Sequence, residues 1–136
     1  MKTKTFFLLV LFVTVSVATT FAQNKKKYVE VVYFHRTNRC STCNAIEKVI
    51  NEVIEKDYAK ELKSGAITFF SIDFQAENPN ELVAKHEIDG PTLLIIYHKK
   101  SKETVSNLTD EAFDYARSQP DKFKKALVDN INECFR

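Results

Sequence analysis

Apolar and polar residues are arranged in segments of strand length and helix length. Apolar side chains occupy both faces of Tyr28–His35, which predicts a central strand covered by helices on each side. From Ile46 to Leu62, apolar residues recur at intervals of three and four, with charged residues between them. This spacing predicts one long amphipathic helix that ends near Lys63–Gly65.

The next part of the chain predicts three more strands and a short helix. The stretch Ala66–Phe74 is rich in β-branched and aromatic residues, so it is expected to form the second strand. Asn78 is the expected cap of a short helix, with Pro79 at its first position. Gly90–His98 predicts a third strand, and Glu103–Leu108 predicts a fourth, antiparallel strand at the sheet edge.

The last segment, Leu108–Arg136, predicts a helical turn, a break at Pro120 and a closing helix. The resulting order β-α-β-α-β-β-α predicts an α/β fold in which a right-handed crossover joins two parallel strands and a final hairpin adds an antiparallel edge. The apolar stripe of the closing helix comprises Phe123, Ala126, Leu127, Asn130, Ile131 and Cys134.

The N-terminal segment indicates export. Lys2 and Lys4 precede an apolar run, Phe6–Ala18, that is too short for a membrane span and is followed by small residues around Ala22. We therefore expect residues 1–22 to be a signal peptide, residues 23–136 to form one domain, and the product to be periplasmic or secreted. An uncleaved N-terminal anchor is the alternative.

The charge balance argues against nucleic acid and membrane partners, and the expected export makes the cysteines candidates for disulfide chemistry. Without Lys2 and Lys4, 18 basic residues face 18 acidic ones, so binding of nucleic acid or stable insertion in a membrane is not expected. Exported proteins meet an oxidising compartment, where disulfides persist. Two of the three cysteines, Cys40 and Cys43, lie in a CxxC arrangement, so they are candidates for a disulfide or for disulfide exchange.

The cysteine pair follows a predicted strand and begins a predicted helix. Backbone N–H groups and the positive end of the helix dipole favour a thiolate at Cys40, and Arg39 adds a positive charge beside it. A thiolate attacks disulfides, and Cys43, one turn further on, would resolve the mixed disulfide. A structural disulfide and a metal site are the alternatives. Zinc needs about four ligands, for which no second CxxC is present, so we expect no metal and no organic cofactor.

Two further residues leave alternatives open. His35 ends the first strand and would tune Cys40 or relay protons, or it would simply pack. Cys134 falls on the apolar stripe of the closing helix, which favours a buried structural thiol over an intermolecular partner.

The CxxC at a helix start, together with a Pro-Thr pair opening an apolar strand in "HEIDGPTLLIIY", resembles the thioredoxin superfamily. That resemblance implies that Pro91 is a cis-proline opposite the cysteines, that Thr92 begins the strand, and that the backbone at Gly90 holds a substrate segment. It also implies protein thiols, protein disulfides or a small thiol as partners, and a separate partner that recycles the redox couple.

Departures from that superfamily concern the surroundings of the cysteines. The chain has Arg39 where thioredoxin has Trp, and Ser41-Thr42 between the cysteines. Tyr33 or Phe34 stands where thioredoxin has a buried acid, so either the proton path differs, for example through His35, or turnover is slow. Tyr33 is expected to be a tuning residue. The stretch "YFHRTNRCSTC" is similar to a small group of short exported thioredoxin-like proteins, some of which are named after nitroreductase or arsenic-related operons. An arsenite or soft-metal binder is therefore a further alternative.

Overall fold

A four-stranded mixed sheet forms the centre of the computed structural model, which describes residues 27–136. The strands are β1 (Lys27–His35), β2 (Ile67–Asp73), β3 (Thr92–Lys99) and β4 (Lys102–Asn107), in the spatial order β2-β1-β3-β4. Strands β1 and β2 are parallel, whereas β3 is antiparallel to both β1 and β4. The predicted α/β fold and the antiparallel edge strand are confirmed. The predicted signal peptide, residues 1–22, lies outside the described residues.

Within residues 27–136, five helices flank this sheet. They are α1 (Ser41–Asp57), α2 (Ala59–Ser64), α3 (Glu81–Lys85), α4 (Thr109–Tyr115) and α5 (Pro120–Phe135). The predicted break at Pro120 is confirmed, because Pro120 begins α5, where its missing N–H costs no helical hydrogen bond. Between residues 27 and 136, no helix combines the length and the apolar character that a membrane crossing requires.

Strand β1 is buried on both faces, as its sequence predicts. Val29, Val31 and Tyr33 point into a core shared with α1, α4 and α5. Val32 and Phe34 point into a smaller core on the opposite face, against which α3 packs. The end of β1 is therefore held from both sides, and the loop that leads to the cysteines starts from a rigid strand.

The prediction of one long helix after the cysteines is wrong, because the chain breaks at Tyr58. The backbone of Tyr58 leaves the helical region at φ −126° and ψ 27°. Its hydroxyl donates to Asn132 Oδ1 at 2.9 Å, and this contact with α5 holds the ring in the core. The short helix α2 then lies at the surface, with Leu62 exposed. It ends at Gly65, whose left-handed φ of 73° gives the expected termination.

The start of the short helix also differs from the prediction. Asn80, rather than Asn78, is the N-cap of α3, and its Oδ1 accepts a hydrogen bond from the Leu82 N–H at 2.9 Å. Pro79 therefore precedes the helix. Two asparagines flank that proline, and only the fold determines which of them meets a free amide of the first turn.

Candidate functional site

Cys40 is the N-cap residue of α1, at the position that the sequence predicts. Its backbone is extended, with φ −81° and ψ 168°, and its Sγ accepts the Cys43 N–H at 3.2 Å. A sulfur here takes the place of the oxygen that usually caps a helix. The side chain of Cys40 is also exposed to solvent. An incoming sulfur can therefore reach it.

Hydrogen bonds at this helix start make Cys40 more acidic than an ordinary thiol. The pKa of Cys40 is lowered, chiefly by a hydrogen bond from the Cys43 thiol and next by the Cys43 backbone N–H. The Thr42 backbone N–H adds to this effect. Each of these donors stabilises the thiolate, which is the form that attacks disulfides.

Cys43 is the buried member of the pair. Only 4% of its surface is exposed, and it belongs to the main core together with Ile46 and Ile50 on the same helix. Both cysteines are free thiols, and their sulfurs lie near disulfide distance. The pair therefore consists of one accessible and one shielded sulfur, and a bond between them needs little movement of the backbone.

Tyr33 lies in the core next to this shielded sulfur. The side chain is fully buried, and its hydroxyl has no hydrogen-bond partner among residues 27–136. Burial raises the pKa of Tyr33, and the neighbouring Cys43 thiol raises it further. Thus the hydroxyl remains neutral beside Cys43, whose side chain is close enough to raise its pKa.

Arg39 is ion-paired with Glu47, a contact that sequence reasoning missed. Its guanidinium donates to a Glu47 carboxylate oxygen and also to Ser71 Oγ at 3.0 Å. The positive charge predicted beside Cys40 is therefore largely neutralised by the Glu47 carboxylate. The only sequence signal for this pair is that Glu47 lies on the helix that the cysteines begin.

The loop between β1 and α1 is also tied to the end of β2. Asp73 stands opposite His35 in the parallel pair, and its pKa is lowered chiefly by a hydrogen bond from the Thr37 side chain. The Phe74 N–H donates to the His35 carbonyl at 3.0 Å. These contacts fix the loop that delivers Cys40 to the helix start.

His35 lies near the site because its ring contacts the ring of Tyr33. The imidazole is 8% exposed, and its Nδ1 lies 2.9 Å from the Arg36 carbonyl oxygen. The ring centroids of His35 and Tyr33 are 6.1 Å apart, with an interplanar angle of 46°. A tuning role for His35 stays a prediction.

The segment Gly90–Thr92 lies at the same edge of the sheet as the cysteine loop. Thr92 is the first residue of β3, as predicted, and stands opposite Phe34 near the end of β1. The prediction of a cis-proline is wrong for this structure: none of the peptide bonds within residues 27–136 is cis, so the bond before Pro91 is trans. Trans is the form that an X–Pro bond prefers by about 0.5–1 kcal/mol. In this form, Thr92 Oγ1 donates to the Gly90 carbonyl at 2.9 Å.

Backbone at Gly90 is open. Apart from Gly90 itself and its two chain neighbours, nothing within residues 27–136 lies within 4 Å of the place where a Cβ on Gly90 would stand. The absence of a side chain leaves room for an extended segment beside the backbone. Whether Gly90, Pro91 and Thr92 bind substrate stays a prediction.

Cys134 is separate from the pair in the fold. It lies on α5 and is half-buried rather than fully buried, since the helix end reaches the surface. Its thiol donates to the Asn130 carbonyl at 3.3 Å, and burial raises its pKa. A raised pKa disfavours the reactive thiolate, so Cys134 is less reactive than Cys40.

The described part of the chain contains no group of three or more His, Cys, Asp or Glu side chains arranged to hold a metal ion. No protein-family model matches the chain, and no curated protein matches it at a significant level.

Proposed function

We propose that this protein is a thiol-disulfide oxidoreductase that exchanges disulfides with protein or small-thiol partners through Cys40 and Cys43. One observation carries the proposal: an exposed sulfur with a lowered pKa caps a helix, one turn before a buried sulfur. A purely structural disulfide needs neither the exposure nor the acidity of Cys40.

The reaction proceeds by two exchanges. The Cys40 thiolate attacks one sulfur of the partner disulfide, the partner's sulfur–sulfur bond breaks, and the other partner sulfur leaves as a thiolate that takes up a proton. Cys43 then loses its proton and attacks Cys40 Sγ, which releases the second partner thiol. The partner gains two electrons, and the protein ends with a Cys40–Cys43 disulfide. A separate dithiol reductant must return it to the reduced form.

The segment formed by Gly90, Pro91 and Thr92 lies close enough to the cysteine loop to support a role in substrate binding at this edge of the sheet. Thr92 stands next to Phe34, and His35 begins the loop that leads to Cys40. The Gly90 backbone has the space to accept an extended partner segment. In this proposal the partner disulfide lies between this edge and Cys40.

Membership of the thioredoxin superfamily and export of the protein are part of the same proposal. The order of the strands and helices and the CxxC at the start of α1 support the family assignment. The trans bond before Pro91 is a departure from it. The apolar N-terminal stretch Phe6–Ala18 supports export, and an oxidising compartment would supply disulfide partners.

The reduction potential of the Cys40–Cys43 couple tests the proposal. The protein, carrying Cys134→Ser so that only two thiols remain, is equilibrated with glutathione redox buffers, and free thiols are trapped and counted by mass. We expect a potential between roughly −120 and −270 mV, the range of exchange catalysts. Cys43→Ser should accumulate a mixed disulfide with the partner, whereas Cys40→Ser should form none.

Each alternative gives a different result. A bond that stays closed below about −300 mV would indicate a structural disulfide and a binding module without redox activity. One arsenite or Cu(I) ion retained per chain after purification in reducing buffer would indicate a metal binder instead.

A further inference from the structure

A basic groove opens beside the cysteine pair. The cavity has a volume of about 400 Å³ and lies between α1 and the junction of α4 with α5. It begins at Ser41, which directly follows Cys40, and Ala45 and Val49 of α1 form part of its wall. Pockets of this size accommodate small molecules. The groove therefore starts at the residue that follows the attacking cysteine and is large enough for a small ligand.

Positive charge predominates in the basic groove. Lys48, Arg117 and Lys124 line it, with Glu52 as the single carboxylate. Lys124 Nζ lies 2.8 Å from Glu52 Oε2, so these two charges neutralise each other. Lys48 and Arg117 are exposed and have no ion-pair partner among residues 27–136. Three cations and one carboxylate thus line the groove, in a protein whose predicted mature chain has no net charge. Lys48 makes no ion pair but is close enough to Glu52 to help lower the pKa of that carboxyl.

We propose that the basic groove binds the carboxylates of a small anionic disulfide and thereby places its sulfur–sulfur bond at Cys40. The inference rests on the proposed oxidoreductase function and names the substrate class for the same site. The volume favours a small disulfide of peptide size over a protein surface, and the two free cations favour carboxylates. Cys40 attacks one sulfur of this disulfide, and the other leaves as an anionic thiol.

Three small disulfides of different charge test the proposal. The reduced protein is mixed with glutathione disulfide, which is anionic, with 2-hydroxyethyl disulfide, which is neutral, and with cystamine, which is cationic. Second-order rate constants are measured by quenched flow at low and at high ionic strength. We expect the double variant Lys48→Gln/Arg117→Gln to react about tenfold more slowly with glutathione disulfide at low salt, since charge steering is lost. Its rate constants with the neutral and the cationic disulfide should not fall. High salt should reduce the difference between wild type and the variant in their rate constants with glutathione disulfide.

The matched control removes the same charge elsewhere. Lys60→Gln/Lys63→Gln neutralises two exposed lysines of α2 that also lack ion-pair partners within the described residues. It should leave all three rate constants unchanged. Equal losses in both double variants, or equal losses for all three disulfides, would overturn the groove as the site of recognition.

An unreactive probe separates this inference from the proposed function. S-methylglutathione keeps the carboxylates of the anionic disulfide but cannot exchange, and its binding to wild-type protein is followed by calorimetry. Weaker binding by Lys48→Gln/Arg117→Gln supports the groove even if none of the three disulfides reacts. If neutral disulfide reacts well but no charge preference is found, the oxidoreductase function stands and the anionic substrate class is rejected. A fourth probe, a disulfide-containing peptide rich in Asp and Glu, is measured in the same way. If only its rate constant falls in Lys48→Gln/Arg117→Gln, the small-molecule substrate is rejected in favour of a protein partner.

Discussion

Replacement of Tyr33 by phenylalanine should stabilise the reduced protein. The Tyr33 hydroxyl is fully buried and has no hydrogen-bond partner within residues 27–136. A buried polar group without a partner costs about 1–3 kcal/mol. Phenylalanine keeps the ring and leaves no large cavity. We therefore expect Tyr33→Phe to raise the free energy of unfolding by about 1 kcal/mol, which corresponds to a rise in Tm of about 4 °C.

Tyr58 offers a matched control because its hydroxyl is paired. It donates to Asn132 Oδ1 at 2.9 Å and lies 3.3 Å from the Val128 carbonyl oxygen. Tyr58→Phe removes the donor and leaves these acceptors without it, which should cost roughly 0.5–1.5 kcal/mol. The same chemical change is thus expected to have opposite signs at the two positions.

Alkaline pH should increase the advantage of Tyr33→Phe. The pKa of Tyr33 is raised in the folded protein above its ordinary value of 10.0, so the unfolded chain releases this proton first. The contribution of neutral Tyr33 is therefore complete below pH 10 and is lost as the pH rises above it. Phenylalanine cannot ionise and does not show this loss.

Urea denaturation of reduced protein at pH 7 and pH 10.5, followed by circular dichroism, measures these differences. The slope of the transition should be equal for wild type and both variants, so that a changed midpoint reports stability. A Tyr33→Phe variant that is less stable than wild type at pH 7 would refute the reasoning. It would mean that the hydroxyl forms a hydrogen bond in solution, with Cys43, whose side chain raises the pKa of Tyr33, as the candidate partner.

Three further predictions concern the helix starts and the charge next to the cysteines. Cys40 should be alkylated by iodoacetamide with a pH midpoint below the ordinary thiol value of 9.0, and a midpoint at or above it would contradict the hydrogen-bond argument. Glu47→Gln should lower that midpoint further, because the Arg39 charge is then no longer neutralised; an unchanged midpoint would show that Arg39 does not act on the sulfur. Asn80→Ala should cost about 1 kcal/mol in urea denaturation, whereas Asn78→Ala should cost nothing.

Much of the fold could be predicted because burial leaves a periodic record in the sequence. The apolar residues on both faces of Tyr28–His35 required a cover on each side, and a central strand with two cores is what the structure contains. The break at Tyr58 could not be predicted in this way. Its apolar spacing continues the helix, and only the hydrogen bond with Asn132, which lies far away in the sequence, shows why the helix ends there.

In the candidate site, too, some features could be predicted from the sequence and others could not. The position of Cys40 at a helix start follows from the strand, the polar turn and the apolar periodicity around it. The partners of Arg39 do not follow from the sequence, because Glu47 and Ser71 lie on two different elements that only packing brings together. The state of the bond before Pro91 was also missed, since the same Gly-Pro pair is compatible with both isomers.

By itself, the sequence determined the four strands, the order in which strands and helices alternate, the buried faces of the central strand, and the place where the cysteine pair begins its helix. These features depend on neighbours within one or two turns, whose spacing is written in the chain. The tertiary structure decided which charge meets which, which hydroxyl is left without a partner beside Cys43, and which cations remain free in the basic groove. Such contacts depend on how the elements pack against one another rather than on local periodicity.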